Sequence, residues 1–298
     1  MGIKFRLIVM NFLQYAIWGS WLISLGAYLG GGLDFTGLQI GSFFATMGVA
    51  SLFMPAVMGI IADRWIPAQK LLGICHLVSG GFLIAAASQT AYGPLYSCML
   101  LSVMFYMPTI ALSNSVAYNA LDLARLDTVK HFPPIRVWGT VGFIAAMWFV
   151  DLTHIGGVQI KLTEWQLYVS AVLSFLLSVY SFSLPGCPVD RNVKARSWVD
   201  TLGLRAFTLF KEKRMAIFFV FSMLLGAALQ ITNAFGDSYI QSFGSMPQYA
   251  DSAIVKHSVI LLSLSQMSET LCILLIPFFL RRFGIKKVML ISMLAWVL

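Results

Sequence analysis

Eight runs of apolar residues, each near the roughly 20-residue length that an α-helix needs to cross a bilayer, dominate this chain. They cover residues 7–29, 38–62, 71–89, 94–117, 135–152, 165–184, 215–235 and 254–280. A ninth run opens at Val288 and is cut at Leu298, so the chain is read as ending inside a ninth helix, incomplete at its C-terminus. Of 298 residues, 59% are hydrophobic and 11% are charged. A soluble domain carries about a quarter charged residues, so the composition points to a polytopic, all-α membrane protein.

The loops between the runs alternate in charge. With the N-terminus taken as cytoplasmic, seventeen Lys and Arg fall on that side, and only Lys161 and Lys256 fall on the other. Such an asymmetry is the positive-inside bias that sets orientation. Asp34, Asp151, Glu164, Asp237 and Asp251 are read as lying outside. The net charge of +8 is spread over several short loops rather than one face, so it is a topology signal and not a nucleic-acid footprint. The first run is too long for the apolar core of a signal peptide and is expected to stay as a helix.

The longest inter-run segment, 185–214, follows the sixth run and carries seven Lys and Arg. It opens Pro185-Gly186-Cys187-Pro188, which stops a helix, and 198–210 has the pattern of an amphipathic surface helix. The expected organisation is therefore an N-terminal six-helix half over 1–184, a cytoplasmic linker over 185–214, and part of a C-terminal half over 215–298. Six helices, a basic linker and further helices is the 6+6 layout of a transporter whose halves pack around a midplane cavity. Two loops occupy equivalent places in the two halves, Gly59-Ile-Ile-Ala-Asp63-Arg64-Trp65 and Arg281-Arg282-Phe283-Gly284-Ile285-Lys286-Lys287. Each resembles part of the major facilitator superfamily loop signature, and neither is complete.

Two charges, Arg136 and Glu269, are read as buried within the apolar runs. A charge at the bilayer centre costs at least about 2.5–3.5 kcal/mol, so it usually faces a polar pathway. Arg136, Thr140 and Phe143 stand at i, i+4 and i+7 and share one helix face. Gln230 and Asn233 share another, as do Gln266 and Glu269, while Asn11, Gln14 and Trp18 form a stripe on the first helix. Each has a duller reading. Arg136 lies just past Pro133-Pro134 and can reach the headgroups, the amides can bond helix to helix, and Glu269 can belong to a structural ion pair. Taken together the faces describe a cavity of amides, one cation, one acid and aromatic plates. That suits a neutral solute with a flat ring and several hydrogen-bonding groups.

Other classes fit less well. The four histidines are scattered, His-Glu-x-x-His and Gly-x-Ser-x-Gly are absent from the sequence, and an enzyme is not expected. Cys75, Cys98, Cys187 and Cys272 have no metal or redox spacing and read as packing residues.

Five stretches carry a closer likeness: Phe12-Leu-Gln-Tyr-Ala-Ile-Trp-Gly-Ser-Trp21, Phe132-Pro-Pro-Ile-Arg-Val-Trp-Gly-Thr140, Lys213-Arg-Met-Ala-Ile-Phe-Phe219, Leu229-Gln-Ile-Thr-Asn233 and Ser265-Gln-Met-Ser-Glu-Thr270. With them the chain resembles the bacterial nucleoside:proton symporters of the major facilitator superfamily, the nucleoside permease G type. The resemblance implies the 6+6 fold, here reaching into helix nine, and proton-coupled uptake of purine and pyrimidine nucleosides across the inner membrane. It implies that Arg136, Thr140 and Phe143 approach the nucleoside from one half. Gln230, Asn233, Gln266 and Glu269 would approach it from the other, with Glu269 the candidate for proton coupling. It further places aromatic and acidic site residues on a tenth helix, beyond Leu298. Nucleosides, protons and lipid are the expected partners, with no cofactor, no metal and no nucleic acid, for a protein acting as a monomer. Transport of another polar solute, such as a sugar or oligosaccharide, is the alternative.

Overall fold

The structure, a computed structural model, describes residues 2–189 and 204–297. Its long helices follow the apolar runs: α1 (Ile3–Gly19), α2 (Gly37–Arg64), α3 (Ala68–Ala87), α4 (Tyr92–Leu123), α5 (Thr128–Leu152), α6 (Trp165–Ser181), α7 (Lys213–Ser242) and α8 (Ser258–Val297). Among them α2, α3, α4, α5 and α7 with its last turn are long and apolar enough to cross a membrane. The buried side of each is set by its neighbours rather than by an amphipathic stripe, as expected where lipid and core are equally apolar.

Three element boundaries depart from the apolar runs, each for a local reason. The first run is not one regular helix. It tightens after Gly19 into turns, with Trp21 N–H bonding Trp18 O, and resumes as a short α-turn at Leu25–Ala27 and a π-helix at Tyr28–Gly32. Helix α5 starts before the expected residue 135, because the Asp127 carboxylate caps it by accepting from the Val129 and Lys130 backbone N–H groups. The ninth run is continuous with α8 except at Gly284, where φ 73 and ψ 161 break the helix. Only glycine adopts that conformation freely, which gives the Gly of the second loop signature a physical reason.

Helices α1 to α6 form one bundle in which α1 packs on α5 and α6, α3 on α4 and α6, and α2 on α4. The α1–α5 crossing is close. A Cβ at Gly142 would sit 2.2 Å from Phe12 O, and one at Gly19 would sit 2.3 Å from Phe143 O. Small residues facing backbone from both sides are the usual way for membrane helices to gain van der Waals contact. Buried polar groups join the same helices. Gln14 Nε2 donates to Thr109 Oγ1 at 2.7 Å, and His76 Nε2 lies 2.8 Å from Gln14 Oε1. Ser174 Oγ donates to His76 O at 2.9 Å.

Helices α7 and α8 meet this bundle along a seam. Residues 25–27 pack on α7, where a Cβ at Gly26 would sit 2.6 Å from Ala234 O, and α8 packs on α5. The loop between α5 and α6 is a hairpin, β1 (His154–Ile155) with β2 (Val158–Gln159), paired antiparallel. Its two-residue turn has Gly156 at φ 62 and Gly157 at φ 85, the positive angles that a two-residue hairpin needs.

Of the segment expected to be an amphipathic surface helix, residues 198–203 lie outside the described residues, and Leu204–Lys211 forms a 3₁₀ helix. The start of the linker is pinned to the bundle: Asn119 Nδ2 donates to Gly186 O at 3.2 Å, and Cys187 N–H donates to Gln69 Oε1 at 2.9 Å. Burial pushes the Cys187 thiol up, so it stays protonated and unreactive. All four cysteines are free.

Candidate functional site

Helix α5 presents Arg136, Thr140 and Phe143 on one face, as their spacing predicts. Arg136 is half-buried, and its guanidinium carbon lies 3.8 Å from the centre of the Tyr15 ring on α1. Gly139 makes this possible, since a Cβ there would stand 2.7 Å from Arg136 Nη1 and 2.6 Å from Tyr15 Cδ2. The cation is thus turned toward α1, with an aromatic face neutralising part of its desolvation cost. Thr140 is half-buried and Phe143 is buried against the α1 crossing.

The α1 stripe divides between structure and site. Gln14 is spent on the helix-to-helix bonds described above, and Asn11 Nδ2 donates to Leu7 O at 2.9 Å in its own helix. Trp18 packs tilted against Tyr106 at 5.9 Å between ring centres. Its indole N–H is buried and has no protein acceptor, as is true of Gln230 Nε2 on α7. The acceptors Asn11 Oδ1 and Asn114 Oδ1 are buried and unbonded as well. A buried polar group without a partner costs about 1–3 kcal/mol, so each of these groups is sustained where water or a solute completes its bonds.

Gln230 and Asn233 are both half-buried on α7, and Gln266 is half-buried on α8. Glu269 is exposed. Helix α8 packs on α5 and α7. Arg136, Thr140 and Phe143 thus share α5, Gln230 and Asn233 share α7, Gln266 stands on α8, and Glu269 is not paired with Arg136. A separate groove of about 440 Å³ lies between α1, α5 and α6, lined by residues such as Phe12, Ala146, Phe149 and Trp165. None of the seven predicted site residues lines it, and its apolar walls suit lipid.

The expectation that Arg136 and Glu269 are the charges held inside the helical body needs correction. Asp151 and Asp237 were assigned to outside loops with Lys161, and all three are buried, with residue exposures of 0%, 0% and 1%. Lys161 Nζ lies 2.5 Å from Asp151 Oδ1, an ion pair without hydrogen-bond alignment at that oxygen. It also donates to Lys256 O at 2.8 Å and to Ser258 Oγ at 3.3 Å. Ser258 Oγ in turn donates to Asp237 Oδ1, whose second oxygen accepts from Gln241 Nε2 at 2.9 Å. His257 Nδ1 lies 2.7 Å from Asp151 Oδ2. Hydropathy missed these groups because each stands at the end of a run, where a charge normally reaches water. The one available signal was that Asp151 falls inside the run 135–152.

Long apolar helices in a bundle, met by α7 and α8 along a seam and carrying buried polar groups, fit a polytopic membrane transporter. The comparisons with known proteins specify it further. The chain matches the Nucleoside H+ symporter family over residues 1–298. It is 53% identical to the xanthosine permease of Escherichia coli (strain K12) and 48% identical to the nucleoside permease NupG of the same strain. Each match spans all of this chain and 70% of the relative. A crystal structure of a NupG mutant superposes with a TM-score of 0.91 at 48% identity, over 99% of this chain and 72% of that one. A second NupG crystal structure gives a TM-score of 0.87 over 100% of this chain and 72% of that one. The chain belongs to the nucleoside H+ symporter family and has the major facilitator fold. It is a multi-pass membrane transporter, not an enzyme.

Proposed function

We propose that this protein takes up purine and pyrimidine nucleosides together with protons across the bacterial inner membrane by alternating access. The observation that carries this reading is end-to-end likeness to permeases named for xanthosine and for nucleosides. Family membership argues against a sugar or oligosaccharide transporter. In this reading the N-terminus is cytoplasmic, residues 1–184 form one half, 185–214 the linker and 215–298 part of the second half. The nucleoside sits between Arg136, Thr140 and Phe143 on one side and Gln230, Asn233, Gln266 and Glu269 on the other. Phe143 or Trp18 offers a plate for the base, and the open Trp18 and Gln230 donors meet its acceptors or those of the ribose.

Two measurements check this. Labelled uridine should accumulate in proteoliposomes with an imposed inward proton gradient, be competed by other nucleosides and not by sugars, and collapse with a protonophore. Uptake competed equally by sugars would defeat it. Arg136→Ala should weaken uridine binding by about 10- to 100-fold, the range of one charged hydrogen bond at about 1.5–3 kcal/mol. Affinity unchanged in a titration would leave Arg136 as a structural partner of Tyr15.

A further inference from the structure

Among the described residues, the side-chain hydrogen bonds and ion pairs that cross the seam gather where α5 and α7 finish and α8 begins. The Trp148 indole N–H donates to Ser263 Oγ at 2.9 Å, and Gln159 Nε2 donates to Lys256 O at 3.3 Å. Beside them stands the buried cluster of Asp151, Lys161, His257, Ser258 and Asp237. Lys161 belongs to the loop before α6, yet it bonds the loop and first residue of α8, 95 and 97 positions away. Toward the other end of α7, Phe218 and residues 220–224 are exposed. Among the described residues, charged groups dominate the side-chain hydrogen bonds and ion pairs that cross the seam at this end.

We propose that Asp151, Lys161, Asp237 and Ser258 are the outer gate of the transporter, and that His257 is the proton switch that favours its closed state. This rests on the alternating-access reading above, in which this end faces outward. The composition of the cluster supplies the reason. An apolar seam would resist opening, because each separation would expose apolar surface to water. Charges regain their hydration when the seam parts, which offsets the lost ion pairs and keeps open and closed states close in free energy. Buried ion pairs contribute little net stability and serve best as register and switch devices.

The charge balance assigns the role of His257. Two buried carboxylates and one ammonium sum to a net charge of −1 with the imidazole neutral, and to zero with it protonated. The imidazole is also the member that water reaches, with 37% of its side chain exposed against 1% for Lys161 and 0% for Asp151. The groups around it are Asp151 on α5, Lys161 in the following loop, Asp237 on α7, and the exposed Lys256–Asp251 pair at 3.0 Å. His154 is turned to Leu152 O, and Glu164 acts on Tyr28. Protonation of His257 neutralises the cluster, so acid outside holds the gate shut, and its loss leaves an uncompensated buried anion that favours opening.

Ser238 provides a reporter, because its Oγ lies at the seam, 3.3 Å from where a Gly26 Cβ would be. Ser238→Cys in intact cells is labelled from outside with a membrane-impermeant maleimide, using the protein without that substitution as background. Lys161→Gln should speed labelling by about tenfold or more, because unpairing a buried charge shifts an equilibrium by at least a decade. The Asp151→Asn, Lys161→Gln double variant leaves no unpaired charge in that pair and should fold even where the single variant does not. It should label as fast, and parental labelling in the double variant overturns the gate. The ratio of labelling in His257→Gln to that in the parent cancels the ionisation of the thiol itself. It should rise severalfold between pH 7.5 and 5.5, and a ratio flat with pH overturns the switch. Saturating uridine should change reporter labelling in the parent. If it does not, while Lys161→Gln still opens the seam, the gate stands and the transport cycle proposed above fails.

Discussion

Glu269→Gln is expected to abolish concentrative uptake while leaving nucleoside binding largely intact. Glutamine keeps the size and the acceptor oxygen of the acid and removes the one property that matters for coupling, a proton that comes and goes. A membrane potential contributes about 2.3 kcal/mol per charge per 100 mV, so one coupled proton supports roughly 50-fold accumulation for each 100 mV. Without the titrating group that ratio should fall to about one, and exchange of labelled for unlabelled uridine should persist because it needs no net proton movement. The position of Glu269 suits a group that must meet water. It is exposed on α8, one turn beyond Gln266, and among the described residues it has no ion pair. If the variant still concentrates uridine to the parental level, the coupling acid lies elsewhere, and the Asp151–Asp237 cluster becomes the first place to look.

Gly142→Val is expected to cost at least about 3 kcal/mol of stability, at or beyond the upper end of ordinary overpacking. The first added carbon alone would stand 2.2 Å from Phe12 O and 2.8 Å from Phe12 C, atoms of a helix backbone that no rotamer change can move. Helices α1 and α5 would have to separate by more than an ångström. That separation would draw Tyr15 away from Arg136 and open the bonds of Gln14 to Thr109 and His76. Yield of monodisperse protein and the thermal midpoint in detergent both read the loss. Gly81→Val is the control, since nothing lies within 4 Å of a Cβ there. Equal midpoints for the two variants would mean that the α1–α5 crossing is looser than its geometry.

The helix faces of the candidate site were legible in the sequence, and their partners were not. Spacing of three, four and seven residues put Arg136 with Thr140 and Phe143, and Gln230 with Asn233, because those intervals define a helix face before any packing is known. Spacing could not say which polar group is already spent. Gln14 and Trp18 looked alike along one stripe, yet Gln14 bonds Thr109 and His76 while the Trp18 indole stays open. The difference depends on what stands opposite, on helices about 60 to 95 residues away. Nor could a single window of hydropathy tell Asp151 and Asp237 from loop acids, or show Glu269 exposed.

Apolar length alone determined that this chain spans a membrane, and roughly where, since the thickness of a bilayer is a fixed ruler applied to local sequence. Loop charge and the motifs on helix faces carried the family. Burial of Lys161 was decided only by tertiary structure. Asp151 reaches this lysine across a local hairpin, but Lys256 and Ser258 lie on segments that meet it only once the helices are packed, and the free energy of a charge depends on all of its surroundings.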